Sequence, residues 1–339
     1  MEFGIAFKGD LEHKRMLAIS RQVEAGGFDY IWFFDSHIIW SDPYTQIAAS
    51  MQHTDRVRYG PLVTNPKVRD WSVAASVFAT LNRMSGGRMD MAIGRGASSM
   101  RVMGKKPATL AALIECVEAI RTMTQGDTYT YDGSPNPVFM DWTEGHELPV
   151  WIAAYGPKAL KVAGEHGDGL IIQLADPGLC QWFTEQAKAG GEATGRDMSK
   201  FRVLSCAPVW IGDVEKGVQQ TSWFPAVVGN HVADIVEKYG KDTDLVPDSL
   251  TKFIETRQGK GADEGYDYRK HAVKDSDNLY YVNNAVTESF CIVGPPEAHV
   301  EKLKQLEAAG VTQFTIYLTQ GDEERLVSEY VDKVIPHFR

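Results

Sequence analysis

Eight short β-rich runs separated by helical patterns constrain this chain more than any other feature. They are "FGIAF" (3–7), "YIWFF" (30–34), "VRYGPLV" (57–63), "RMDMAIG" (88–94), "PVWIAA" (149–154), "GLIIQLA" (169–175), "RVLSCAPVWIG" (202–212) and "FTIYL" (314–318). The segments between them carry apolar residues at helical spacing. One is "HKRMLAISRQVEAGG", with Met16, Leu17, Ile19 and Val23; another is "PATLAALIECVEAIRTMTQG", opened by Pro107 and closed by Gly126. Parallel neighbours need crossover connections, so the alternation predicts a parallel sheet. A doubly wound open sheet also satisfies the pattern. The count of eight and the lack of an early Gly-rich turn favour an α/β fold closed as a (β/α)8 TIM barrel.

Two segments break the rhythm. Residues 127–148 carry turn residues and predict a small hairpin, and residues 214–288 are too long for one barrel helix. The chain is therefore read as a single barrel domain over 1–339 with a late insertion, 214–288, expected to cover the active-site face. Its Trp223, His231, Tyr266, Tyr268, Tyr280 and Tyr281 suit a cover that excludes water from a small aromatic or heterocyclic substrate, or else simply pack the insertion.

Composition removes several function classes. A formal net charge of −10 leaves no basic field for nucleic acid or an anionic membrane. No apolar run approaches the ~18 residues of a membrane span, and "MEFGIAFKGD" reads as a strand, not a leader. Cys116, Cys180, Cys206 and Cys291 have no C-x-x-C spacing and sit among apolar residues, as in a reduced, cytoplasmic protein. No Walker loop, nucleophile elbow or H-E-x-x-H helix occurs, so no metal is expected.

What remains are the polar strand ends. A barrel assembles its site from the loops that follow its strands. Strand two ends in Asp35, Ser36 and His37, and strand three in Thr64 and Asn65, followed by Arg69. A lone histidine is as a rule a hydrogen-bonded structural residue, but the neighbouring strand ends turn the reading toward catalysis by His37 and Asn65. After strand four come Gly94, Gly96, Ser98, Ser99 and Arg101. After strand five, Tyr155-Gly156-Pro157-Lys158-Ala159 places proline and free backbone N–H groups at a helix start, where a phosphate is attracted. Together with Thr64 and Asn65 these describe a binding site for a phosphate-bearing cofactor lying across the barrel mouth, with His37 and Asn65 near its ring.

The stretches "GFDYIWFFDSH", "RVRYGPLVTNP", "LNRMSGGRMDMAIGRG", "WIAAYGPKALKVAGEHGDGLI" and "FCIVGPPEAHVEKLKQLEAAGVTQF" resemble, in order, the bacterial luciferase-like superfamily of flavin and deazaflavin oxidoreductases. The likeness is greatest to its methylenetetrahydromethanopterin reductase-like branch and covers nearly everything outside the insertion. It implies the barrel, a cofactor phosphate near strands four and five, and a non-prolyl cis peptide within Leu62 to Thr64. The family divides by cofactor. Some members accept reduced FMN from a separate flavin reductase and insert one atom of O2 into the substrate; others pass a hydride through coenzyme F420; a few bind flavin without catalysis. The oxygenase component of a two-component FMN monooxygenase is the first expectation and F420-dependent hydride transfer the second. Lys105 and Lys106 are the start of a possible basic track for the polyanionic F420 tail. A homodimer or homotetramer is expected.

Overall fold

The computed structural model describes residues 1–339 except 132, 133, 243, 245, 258, 260, 262–265, 274 and 275. The first two fall within the expected hairpin and the others within the expected insertion, so those parts of both readings lie outside the described residues.

Eight parallel strands run β1 (Glu2–Phe7), β2 (Tyr30–Phe33), β3 (Arg58–Pro61), β4 (Met91–Ile93), β5 (Val150–Ala153), β6 (Gly169–Ile172), β7 (Arg202–Ile211) and β8 (Gln313–Leu318), one in each predicted run. Their spatial order is β3-β2-β1-β8-β7-β6-β5-β4. Parallel bridges Tyr59–Met89 and Thr64–Ile93 join β3 to β4 and close the ring. The fold is thus a nearly closed TIM barrel. The helices between strands are α1 (His13–Ala25), α2 (Pro43–Met51), α3 (Trp71–Ser85), α4 (Ala97–Arg101), α5 (Leu110–Thr124), α6 (Pro157–His166) and α7 (Pro177–Glu192). The late segment supplies α8 (Val214–Thr221), α9 (Trp223–Tyr239), α10 (Asp248–Glu255) and α11 (Asn284–Phe290), and the barrel is completed by α12 (Pro296–Ala308) and α13 (Glu323–Lys333).

Local chemistry sets most of these boundaries. Asp42, Asp70 and Asp176 each accept a first-turn backbone N–H at the start of α2, α3 and α7. Helix α5 begins at Leu110 and not at Pro107, because the Thr109 side chain accepts from the amide of Ala112 and caps it there. Helix α12 buries Val300, Leu303 and Leu306 and ends before Gly310, whose φ of +93° suits a residue without a Cβ. The expected hairpin is short, pairing Tyr129–Thr130 with Pro137–Val138. Among the described residues no helix is long and apolar enough to cross a membrane.

The strands' first residues fill one end of the barrel and leave the other open. Inward-facing Tyr30 and Trp32 stack with ring centroids 5.3 Å apart, and Trp151 meets Trp32 edge-on at 6.2 Å. Glycine makes this plug possible: a Cβ on Gly60 would lie 2.5 Å from the Trp32 ring, and one on Gly169 would lie 2.4 Å from Trp151. Trp151 Nε1 donates to buried Asp90, whose other oxygen accepts from Arg58 at 2.6 Å. Rings and an ion pair close that end, and a cavity lies at the carboxyl ends of the strands.

Candidate active site

A cavity of about 550 Å³ opens at the carboxyl ends of the strands. Phe34, two residues beyond inward-facing Trp32, forms part of its floor and meets Tyr317 of β8 edge-on at 4.8 Å. Tyr317 Oη lies 3.2 Å from Cys206 Sγ, and Tyr155 Oη accepts from the amide of Gln173 at 3.1 Å. Burial pushes the Cys206 thiol up to about 12, so this sulfur is a neutral hydrogen-bonding group, not a thiolate. A non-prolyl cis peptide joins Leu62 to Val63, inside the stretch where the resemblance implied one, and both residues border the cavity.

The residues expected to bind a cofactor distribute as follows. Gly94, Gly96, Ser98, Arg101, Tyr155, Gly156, Lys158 and Ala159 all border the cavity. Gly156 is the N-cap of α6 and provides no side-chain cap, while Pro157 at the first position has no N–H; the amides of Lys158 and Ala159 are the first donors of that turn. Lys158 is exposed and has no ion-pair partner among the described residues. Gly96 has φ +80°, and a Cβ there would sit 2.6 Å from Asn65 Cγ.

The two residues expected to be catalytic stand elsewhere. His37 lies exposed in the turn after β2 and is not among the cavity-lining residues. Asn65 is 3% exposed; its Oδ1 accepts from the amides of Lys67 and Val68, and its Nδ2 donates to Ser99 Oγ. That bonding ties the loop after β3 to α4, the short helix that follows β4. Thr64 is also buried, and its amide and carbonyl carry the β3–β4 bridge. Of the polar triplet that ends strand two, Asp35 and Ser36 border the cavity and His37 does not. Arg69 pairs with Asp35 at 2.8 Å and with Asp42 at 2.7 Å, its guanidinium lying 4.6 Å from the Tyr44 ring. Burial raises the Asp35 carboxyl above the usual range, an effect that Arg69 opposes.

The opposite wall comes from the late segment. His231, Asp234, Ile235 and Lys238 of α9 all border the cavity, and their spacing of three, one and three residues makes one helix stripe. His231 Nε2 is 3.3 Å from Ser98 Oγ; Arg101 Nη2 donates to Asp234 Oδ2 at 2.5 Å; an Ile235 methylene lies 3.2 Å from where a Gly156 Cβ would stand. Burial first, then the nearby His271 and Arg101, pushes the His231 imidazole down to about 3, so it is neutral at pH 7. His271, which also borders the cavity, accepts or donates at 2.8 Å with Tyr266 and is pushed by burial to about 4. Of this wall the sequence reading named only His231. The i, i+3, i+4, i+7 spacing in "HVADIVEK" was the available signal for the rest.

Comparison with known proteins places this architecture. The family model described as luciferase-like monooxygenase matches residues 1–313. A 5,10-methylenetetrahydromethanopterin reductase of Archaeoglobus fulgidus is 28% identical over the full length of both chains. An F420-dependent glucose-6-phosphate dehydrogenase of Amycolatopsis mediterranei is 23% identical over 94% of this chain and 92% of its own. The structure of the coenzyme F420 dependent tetrahydromethanopterin reductase from Methanopyrus kandleri superposes with a TM-score of 0.79 at 24% identity, covering 100% of this chain and 99% of that one. The barrel, the strand-end cavity and the matched length agree: the chain is an oxidoreductase that belongs to the luciferase-like monooxygenase family.

Proposed function

We propose that this chain is a coenzyme F420-dependent oxidoreductase that transfers a hydride to or from a small organic substrate. The observation that carries the reading is the distribution of positive charge around the cavity. Arg101, Lys158 and Lys238 border it, and Lys67, Lys105 and Lys106 continue outward from the loops beside it, with Lys67 Nζ donating to the Lys106 carbonyl at 3.1 Å. In a chain of net charge −10 this is a local concentration of cations, suited to a phosphate followed by further carboxylates. Relatives whose descriptions name F420 support the same cofactor. Reduced FMN with O2, and with it a reductase partner, stood first on the sequence; it has less support from both the relatives and the charge pattern.

When bound, F420 supplies a two-electron carrier that gives or takes a hydride. The chain's own residues have separable tasks. Lys158 and the amides of Lys158 and Ala159 would hold the phosphate, with Ser98 and the Gly94–Gly96 turn alongside. Leu62 and Val63, joined by the cis peptide, would back the ring, and Phe34, Trp40 and Tyr317, which also border the cavity, would keep its surroundings apolar. The α9 stripe closes the remaining side against water. His231, neutral at pH 7, offers one donor and one acceptor nitrogen near Ser98.

Anaerobic titration with F420 and with FMN, each oxidised and reduced, tests the proposal through ring fluorescence and absorbance. F420 should bind more tightly than FMN in the same redox state. Equal or tighter binding of FMN overturns the reading.

A further inference from the structure

The most unusual group in the cavity wall is an acid. Asp234 stands on the α9 stripe between His231 and Ile235, and its Oδ2 is 2.5 Å from Arg101 Nη2. Arg101 has a nearly buried side chain, 8% exposed, whereas Asp234 is 53% exposed and borders the same cavity. Ile235, the next residue, stands over Gly156 at the first turn of α6. The carboxylate therefore lies beside the place where the proposed function puts a cofactor phosphate, bonded to a cation that the phosphate also needs.

An anion entering that place meets Lys158, Arg101 and a fixed negative charge. A phosphodiester carries one negative charge at neutral pH, whereas a phosphomonoester carries up to two, its second pKa being about 6. The second charge gains from Lys158 but is repelled by Asp234, and Arg101 is already engaged in part. In a half-exposed site one extra unit charge at close range changes affinity by roughly tenfold.

We infer that Asp234 is a specificity-determining residue that selects cofactors whose phosphate is a diester, as in F420, over those whose phosphate is a monoester, as in FMN. This rests on the proposed placement of the phosphate but not on which ring is bound. It acts through charge alone: no bond to the reacting atoms is required, and Asp234 is not a catalytic residue.

Two probes with one ring isolate the effect. FMN and its methyl phosphodiester share the isoalloxazine and ribityl groups and differ at the phosphate, where a methyl ester removes one negative charge. Their dissociation constants are measured at pH 8 for the parent, Asp234→Asn and Asp234→Glu. In the parent the diester should bind more tightly than FMN. Asp234→Asn should shift the ratio of the two constants about tenfold toward FMN, while Asp234→Glu should keep the parent ratio. Because Asp234 is half exposed, neither change strips the core, and Asp234→Ser repeats the comparison if Asp234→Asn melts early. An unchanged ratio in Asp234→Asn, or an equal shift in Asp234→Glu, overturns the inference. Failure of the F420 reading is a separate result, seen when the parent prefers FMN to F420 whatever the effect of Asp234.

Discussion

Replacing Arg69 with methionine should expose how the barrel holds a carboxylate beside its cavity. Methionine keeps much of the apolar stem and removes the charge. Three contacts disappear. The pair with Asp42 is worth little, since Asp42 is 44% exposed, and its loss costs at most about 1 kcal/mol. The contact with the Tyr44 ring adds about 0.5–2 kcal/mol. The main loss is at Asp35, which is 3% exposed and is left as a buried carboxylate without its cation. Breaking such a pair costs about 3–5 kcal/mol. The Asp35 carboxyl, already raised by burial, then moves further up because the opposing charge is gone. An acid whose folded pKa exceeds its unfolded value of about 3.9 holds its proton more tightly in the folded state. Stability is therefore lost as pH rises from about 4 through the folded pKa, and recovered on acidification by up to about 1.4 kcal/mol per pH unit. Urea denaturation of variant and parent at pH 8 and pH 5 measures this. Taking the difference between the two proteins cancels the contribution of His271 and His299, whose depressed values destabilise both in acid. The deficit should be several kcal/mol at pH 8 and smaller at pH 5, and Asp35→Asn in the same chain should remove its pH dependence. A deficit below about 1 kcal/mol at pH 8, or one equal at both pH values, would refute the reasoning.

Other outcomes can be stated briefly. Lys158→Ala should weaken F420 binding by about 1.5–3 kcal/mol, the scale of a charged hydrogen bond, without lowering the melting temperature; unchanged affinity in a fluorescence titration would remove Lys158 from the anion site. Leu306→Ala should cost about 2–5 kcal/mol, because Leu306 is fully buried between α12 and the barrel, yet leave turnover per folded molecule nearly intact; a selective loss of turnover in a stable variant would contradict a packing role. His37→Asn should change stability by less than about 0.5 kcal/mol, since the side chain is exposed, and single-turnover rates should fall less than tenfold; a loss of roughly 10²-fold would give His37 the acid–base role its place in the sequence suggested.

Sequence alone determined the alternation of strands and helices, and the bridges Tyr59–Met89 and Thr64–Ile93 closed it into a barrel. Each strand run and each flanking helix is written in contacts between residues two to four positions apart, so "YIWFF" becomes β2 and "PPEAHVEKLKQLEAAG" becomes α12 with Val300, Leu303 and Leu306 inward. The helix start at Gly156-Pro157 was legible for the same reason, because a cap is a local event. Tertiary structure decided which polar strand-end residues meet a cavity. Asn65 spends its amide on the loop beside it, His37 turns to solvent, and Asp35 takes the place at the wall with Arg69, 34 residues away in the chain. Arg101 meets Asp234 across 133 residues, and only the packing of α9 over the barrel mouth brings them together. Periodicity marks a helix face and says nothing about what that face will cover. The partner of a charged group is chosen by the closing of loops over long chain separations, and those contacts leave no pattern in either segment read by itself.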